Sequence, residues 1–326
     1  MRILAITNMY PSAEYPSSGL FIQQQIKGLR NIGVDVDLLI VDRLEKGKHA
    51  YWGLGPQIRD KIKEVNPRLV HCMYGGVMAD IVTRTISDTP VVVTFHGSDL
   101  LGENLSGLLR KWYSRYGVWC SKRAAQRSSG IVLVSSVLQE ILPVNVDRSK
   151  IRTIPCGIDV ELFKPMNRDV CRQQLGWDPD VFHILFQNSS DPVKQPALAY
   201  ASVQALEQLG VKAQLHELRN IPYRDVPIWL NASGVLLLTS LHEGSPTIVK
   251  ESLACNVPIV SVDVGDVAER IHGIDGCYLA KSSPGDLAAK LALVHAGIRS
   301  HQGREKIKEL SLDHVARRLV QFYAEL

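Results

Sequence analysis

Two carboxylates, Glu243 and Glu251, bracket the run His242-Glu243-Gly244-Ser245-Pro246-Thr247-Ile248-Val249-Lys250-Glu251, with seven residues between them. The run follows an apolar, strand-like segment at 235–239. Ser245 reads as a helix N-cap and Pro246 as the first helical residue. The amides around Ser245, Thr247 and Ile248 would then have no partner inside the helix and would face an anion at its positive end. Carboxylates so placed accept hydrogen bonds from hydroxyls at two separate parts of one ligand, a sugar and a ribose. A plainer arrangement fits the same residues: Glu243 caps its own helix and Glu251 is solvated.

The N-terminal loop offers a second anion-binding arrangement. Ser17-Ser18-Gly19 opens a helix whose apolar positions Ile22, Ile26 and Leu29 share one face. Gly19 lets a backbone approach an anion closely, although serines ahead of a helix also serve as plain N-caps. Nicotinamide and P-loop chemistry have no signature here. The first strand is followed by Met9-Tyr10-Pro11-Ser12 rather than Gly-x-Gly-x-x-Gly, and Gly53-Leu54-Gly55 follows no strand and reads as a turn. The six cysteines form no Cys-x-x-Cys pair and sit beside no histidine at zinc-finger spacing, so they read as buried or incidental thiols.

Short β-branched runs alternate with longer helical stretches, which predicts an α/β chain with parallel sheets and crossover helices. Strands are expected at 2–8, 34–41, 69–72, 91–95, 131–134 and 151–154, with helices at 19–32, 56–65, 77–86 and 108–126. A second series has strands at 183–187, 212–218, 235–239 and 259–262 and helices at 195–209, 226–232 and 246–254. Helices near 286–294 and 312–325 close the chain. The junction is expected between Pro155 and Pro165, where two prolines limit the backbone. This divides the chain into domains 1–160 and 161–310, with 311–326 a helix packing back on the first. Doubly wound domains bind ligands outside the carboxyl ends of their strands.

A chain of 326 residues suits two cores rather than one. Its 45% hydrophobic and 21% charged residues exclude a disordered chain. No apolar run approaches the roughly 20 residues that cross a bilayer. Met1-Arg2-Ile3-Leu4-Ala5-Ile6 reads as a buried first strand, not a signal-peptide core, so a cytoplasmic location is expected. Residues 1–165 carry 21 Lys and Arg against 15 Asp and Glu, while the remainder carries 16 against 18. The basic half suits a phosphate-bearing or membrane-bound partner.

Much of that excess lies in 108–127, where Arg110, Lys111, Arg115, Lys122, Arg123 and Arg127 occur without an acid. Leu108, Trp112, Tyr116 and Trp119 recur there at helical spacing. Such a helix either lies peripherally on an anionic membrane or turns its apolar stripe to the core and its basic face to solvent. No nucleic-acid-binding module accompanies it, so nucleic acid is not an expected partner.

Four segments, in order, resemble a known family. These are Thr94-Phe95-His96-Gly97-Ser98-Asp99-Leu100, then Ile154-Pro155-Cys156-Gly157-Ile158-Asp159 with Phe163 and Pro165. The third runs from Glu243 to Glu251 and continues into Ala254-Cys255-Asn256-Val257-Pro258-Ile259-Val260, and the fourth is Val262-Asp263-Val264-Gly265-Asp266-Val267. They are similar to the acceptor-domain strand end, interdomain linker, donor motif and glycine turn of the retaining glycosyltransferases of family four (glycosyl transferases group 1). The resemblance spans nearly the whole chain. It implies the GT-B fold, two Rossmann-like doubly wound domains with the donor site in the cleft between them. The first domain would serve the acceptor and the second the nucleotide sugar.

The resemblance also implies roles. Glu243 would hold the transferred sugar's hydroxyls, with the Gly244 and Ser245 amides nearby and Pro246 and Thr247 opening the helix. Glu251 would bind the ribose hydroxyls. Lys194 would neutralise the diphosphate, His96 would lie near the anomeric centre, and Gly19 would close on the β-phosphate. Without the family, His96 reads as a strand-end histidine satisfied by the backbone. Two positions depart from the pattern: Ser18 replaces the first of two glycines, and Ser189 replaces an arginine five residues before Lys194. Arg219 and Arg270 are candidates to compensate.

The expected donor is a UDP- or GDP-sugar and the expected acceptor a sugar or lipid-linked sugar, in cell-surface polysaccharide or glycolipid synthesis. No cofactor and no metal is expected. Asp35-Val36-Asp37 superficially resembles the metal-binding Asp-x-Asp of the other glycosyltransferase fold, but it lies within a strand and reads as structural. Two other functions use the same fold: a non-catalytic nucleotide-sugar binder or partner subunit, and a sugar-nucleotide epimerase.

Overall fold

The computed structural model of the chain describes residues 1–102, 107–188, 192–297 and 302–326. They form two compact units, Met1–Gly157 with Leu312–Leu326, and Ile158–Ser311. In the first unit, β1 (Arg2–Thr7), β2 (Asp35–Ile40), β3 (Leu69–Cys72), β4 (Val91–Phe95), β5 (Gly130–Leu133) and β6 (Ile151–Thr153) form one parallel sheet. Its order is β2-β1-β3-β4-β5-β6. The strands are apolar on both faces, as a sheet covered on both sides requires. Leu4, Ile6, Val70, Val93 and Leu133 enter one core with Met78 and Val82 of the helix Gly76–Thr85. Ile3, Ala5, Val92 and Val132 enter the other, against the helices Leu20–Asn31 and Leu312–Ala324.

The C-terminal helix is fastened to this sheet by more than apolar contact. A Cβ on Gly28 would lie 2.7 Å from the Leu312 carbonyl oxygen, so only glycine lets the two helices approach this closely. Tyr323 Oη lies 2.6 Å from His71 Nδ1, whose Nε2 lies 2.6 Å from Thr94 Oγ1. Burial holds the His71 imidazole well below its usual range, at about 3, so it bridges helix and sheet as a neutral ring.

The second unit contains β7 (Phe182–Phe186), β8 (Ala213–Glu217), β9 (Val235–Leu238), β10 (Ile259–Val262) and β11 (Tyr278–Ala280). They too are parallel, in the order β11-β10-β9-β7-β8. The chain runs from β7 to β8 and then returns to the other side of β7 for β9. The loops after β7 and β9 therefore diverge at their carboxyl ends and leave a crevice there, where doubly wound sheets hold ligands.

The main expected strands and helices are present, with ends shifted by a residue or two, as is usual. The helix Leu54–Val65 begins ahead of its expected start and includes Gly55, so Gly53-Leu54-Gly55 is a helix entry rather than a turn. The sequence reading missed the helix Arg168–Leu175, a polar two-turn segment capped by Asn167 and ended by left-handed Gly176. It also missed the three-residue edge strand β11. Both are too short for apolar periodicity to register. Asp35 and Asp37 share a face of β2, and both lie against Arg2 Nε, at 3.4 and 2.8 Å.

Candidate active site

The crevice at the carboxyl ends of β7 and β9 brings together residues far apart in the chain. Lys194 Nζ donates to Glu243 Oε1 at 2.6 Å, and Ser240 Oγ donates to the same oxygen at 2.8 Å. Gln187 Oε1 lies 3.5 Å from Lys194 Nζ. Backbone and side-chain bonds lock the two loops: Leu241 N donates to the Val193 carbonyl at 2.8 Å, and Thr239 Oγ1 to that of Lys194 at 2.7 Å. The Lys194 and Glu243 side chains are only 17% and 16% exposed. A cation and a carboxylate thus neutralise each other at the mouth of the crevice, within reach of an entering ligand. Glu243 does not cap its own helix.

The helix start differs from the sequence reading. The helix is Thr247–Ala254, Pro246 occupies the N-cap in an extended conformation, and no side-chain cap bond is made there. Ser245 Oγ turns away and donates to Asp266 Oδ2 at 2.7 Å. Pro246 has no side-chain oxygen to offer the first amides, so the helix start remains open to an anion. The loop is also pressed from behind. Gly265 has φ +56°, and a Cβ there would lie 2.5 Å from the Gly244 carbonyl oxygen.

Glu251 is not solvated. Its carboxyl is buried, and burial pushes it up to about 7, against the pull of a hydrogen bond from Tyr223 and the nearby Lys250 charge. Tyr223, packed edge-on against Phe163 at 5.3 Å, is a site residue that sequence reasoning missed. It lies in a one-turn segment after β8, where no motif marks it. Arg270 faces Asp266 at 2.9 Å and Glu269 at 3.3 Å, while Arg219 is exposed beside Glu217. Ser189 lies outside the described residues.

In the first unit, Gly19 is the left-handed residue ahead of the helix Leu20–Asn31, with φ +65° and no side-chain cap. A Cβ there would lie 2.4 Å from the Met9 carbonyl oxygen. Glycine is thus required for the loop to close on the end of β1, and Ser17 and Ser18 do not cap this helix. His96 follows β4. Its Nε2 lies 2.9 Å from the Met73 carbonyl oxygen, its Nδ1 lies 3.6 Å from Cys156 Sγ, and its ring stacks on Tyr74. The turn below His96 is organised by Asp99, which accepts from the amides of Gly75, His96 and Gly97 at 2.9 to 3.1 Å. Burial raises the Asp99 carboxyl to about 6.

The helix Leu108–Arg127 settles one of its two readings. Leu108 is 89% and Trp112 59% exposed, and its buried residues are Cys120, Ser121, Ala124 and Ala125. The apolar stripe does not face the core, because only small residues pack inward. Trp112, Tyr116 and Trp119 stack in a ladder at 5.7 Å spacing, and Arg123 covers Trp119. Asp80 anchors the helix through Arg127 at 2.7 Å and Arg123 at 3.5 Å.

Known proteins share this fold. Residues 21–162 match the model of Glycosyltransferase Family 4, and residues 193–296 that of Glycosyl transferases group 1. The chain belongs to this family of GT-B glycosyltransferases. It is an enzyme of the hexosyltransferase type. A teichuronic acid biosynthesis glycosyltransferase of Bacillus subtilis, TuaC, is 24% identical over 82% of each chain. Among solved structures, sucrose-phosphate synthase from Thermosynechococcus elongatus superposes with a TM-score of 0.81 at 15% identity, covering 100% and 99% of the two chains. Anabaena HepE, solved in complex with UDP-glucose, gives 0.71 at 17% identity over the whole of both chains. In this glycosyltransferase the Glu243–Glu251 motif and the Gly265 turn belong to one unit, and the His96 turn and Gly19 loop to the other.

Proposed function

We propose that this glycosyltransferase is a retaining, metal-independent enzyme that moves a hexose from a UDP- or GDP-sugar to a sugar or lipid-linked acceptor. The observation that carries the reading is the Lys194–Glu243 pair beside an open helix start, with buried Glu251 one helix length away. On binding, the diphosphate takes Lys194 from Glu243. Glu243 is then free to accept from the sugar hydroxyls, and Glu251 from those of the ribose. The loop amides of Gly244 and Ser245 and the helix-start amides of Thr247 and Ile248 face the leaving group, where negative charge grows as the anomeric bond breaks. The family pattern assigns His96 the role near the anomeric centre, and here both its ring nitrogens have partners. The family pattern assigns Gly19 the loop that meets the β-phosphate. The acceptor hydroxyl enters on the face the diphosphate leaves, which retains configuration. HepE, solved with UDP and with UDP-glucose, supports the donor class, and TuaC supports a role in cell-surface polysaccharide synthesis.

Incubating the protein with a panel of UDP- and GDP-hexoses tests the reading. Saturable release of free sugar, faster with acceptor present, is expected. Nucleotide binding without sugar release would instead make the chain a binder, and an altered hexose still on its nucleotide would make it an epimerase. Transfer should also survive a chelator unchanged, because Lys194 and the helix-start amides take the leaving-group charge. Loss of activity in EDTA, restored by a divalent ion, would overturn the metal-independent mechanism.

We further propose that the enzyme works in the cytoplasm, peripherally bound to the inner face of the membrane through the helix Leu108–Arg127. Its exposed aromatic ladder lies beside a row of bases at Lys111, Arg115 and Lys122, the pattern of an interfacial helix. Among the described residues no helix is long and apolar enough to cross a membrane. The protein should co-sediment with anionic liposomes and be released by salt, since surface attraction is screened. Equal recovery on neutral and anionic vesicles would remove this role.

A further inference from the structure

Behind the donor loop lies a fully buried lysine that the roles above do not use. Lys250, on the helix Thr247–Ala254, is 0% exposed. Its Nζ donates to Ser245 Oγ at 3.0 Å, and Ser245 Oγ donates to Asp266 Oδ2 at 2.7 Å. Arg270 Nε donates to the same Asp266 oxygen at 2.9 Å. Asp266 thus meets one cation, Arg270, directly and a second, Lys250, through the Ser245 hydroxyl, while Glu269, the second partner of Arg270, is 62% exposed and screened by water. Asp266 Oδ1 is buried and has no hydrogen-bond partner among the described residues. The family's arginine is absent at Ser189, so side-chain charge at the leaving group is otherwise left to Lys194.

We propose that Lys250, acting through Ser245 from behind the loop, is a positioning residue that supplies positive potential to the diphosphate. The inference rests on the donor-site reading above. Ser245 Oγ is held between Lys250 and Asp266, so the loop at Gly244 and Ser245 is fixed before the ligand arrives. Preorganised dipoles and charge of this kind act strongly in a site from which water is excluded. Asp266 opposes the field and sets its size. Lys194 remains the cation that touches the ligand; Lys250 does not touch it.

Charge changes of opposite sign separate this role from a structural one. Asp266→Asn keeps an oxygen for Ser245 and Arg270 and places its amide nitrogen where Oδ1 now has no partner. It removes one negative charge and should tighten UDP binding severalfold by calorimetry. Lys250→Met keeps the length of the side chain, removes the positive charge and should weaken UDP binding about tenfold. A purely structural network would be damaged by both substitutions, and affinity would fall in both. UDP affinity unchanged or lowered in Asp266→Asn overturns the proposal, even if Lys250→Met fails to fold. UDP binding that is lost in Glu251→Ala but unchanged in both charge variants sinks this inference alone. No binding of UDP or GDP to the wild-type protein sinks the donor-site reading with it.

Discussion

Lys194→Ala is expected to lower turnover by about 10²–10³-fold, the scale set by removing one preorganised group from a developing oxyanion. The charge on the diphosphate grows most in the transition state, so the loss should fall on kcat more than on KM. The structure adds a second expectation. Among the described residues Glu243 then loses its cation and keeps only Ser240 as a side-chain donor, so its half-buried carboxylate becomes harder to desolvate. Lys194→Ala should therefore also weaken selection among donor sugars. Ser189→Arg should leave activity unchanged or raise it, because that position carries an arginine in the family's pattern. Combined, the two substitutions should be non-additive, since they serve the same phosphate oxygens. Steady-state kinetics on the two single variants and the double variant test this. Wild-type turnover in Lys194→Ala would mean that the lysine does not meet the diphosphate.

Glu251→Gln should do two opposite things. Its carboxyl has an ordinary value of 4.5 and is raised by burial to about 7 in the folded chain. Between those values the native state holds the proton and the unfolded state has released it. The stability contributed by the protonated group is therefore present below pH 4.5 and is lost as pH rises through 7. The glutamine variant does not ionise, so it should be more stable than wild type at pH 8, by up to about 3 kcal/mol, and little different at pH 4. The same variant should bind UDP at least about tenfold more weakly, because a carboxylate that accepts from ribose hydroxyls has been replaced by an amide. Thermal unfolding at the two pH values and calorimetry with UDP measure both. A variant that binds UDP as well as wild type removes Glu251 from the nucleotide site. A variant with no added stability at pH 8 would mean the carboxylate is solvated when the nucleotide is absent.

The order of strands and helices was legible in the sequence because both sheets are covered on two sides. Strands buried on both faces must be short, continuous apolar runs, and 91–95 and 235–238 are of that kind. The motif from Glu243 to Glu251 was legible for a related reason: its carboxylates, glycine and proline have fixed spacing along one loop and one helix. Local chemistry did not determine where those side chains point. Ser245 read as a cap, yet it serves Asp266 and Lys250, because the Gly265 turn arrives against its loop from the next strand. Glu251 read as solvated or as ribose-binding, and its raised pKa comes from burial and from Tyr223, which reaches it from the segment after β8. The helix Leu108–Arg127 shows the same limit. Its stripe of aromatic residues suited a core or a surface equally, and only the packing of small residues beneath it decided the matter. Sequence by itself determined the main elements, the family and most of the residues that could do chemistry. Tertiary structure decided which of them are paired, buried or exposed, because those properties depend on neighbours far away in the chain.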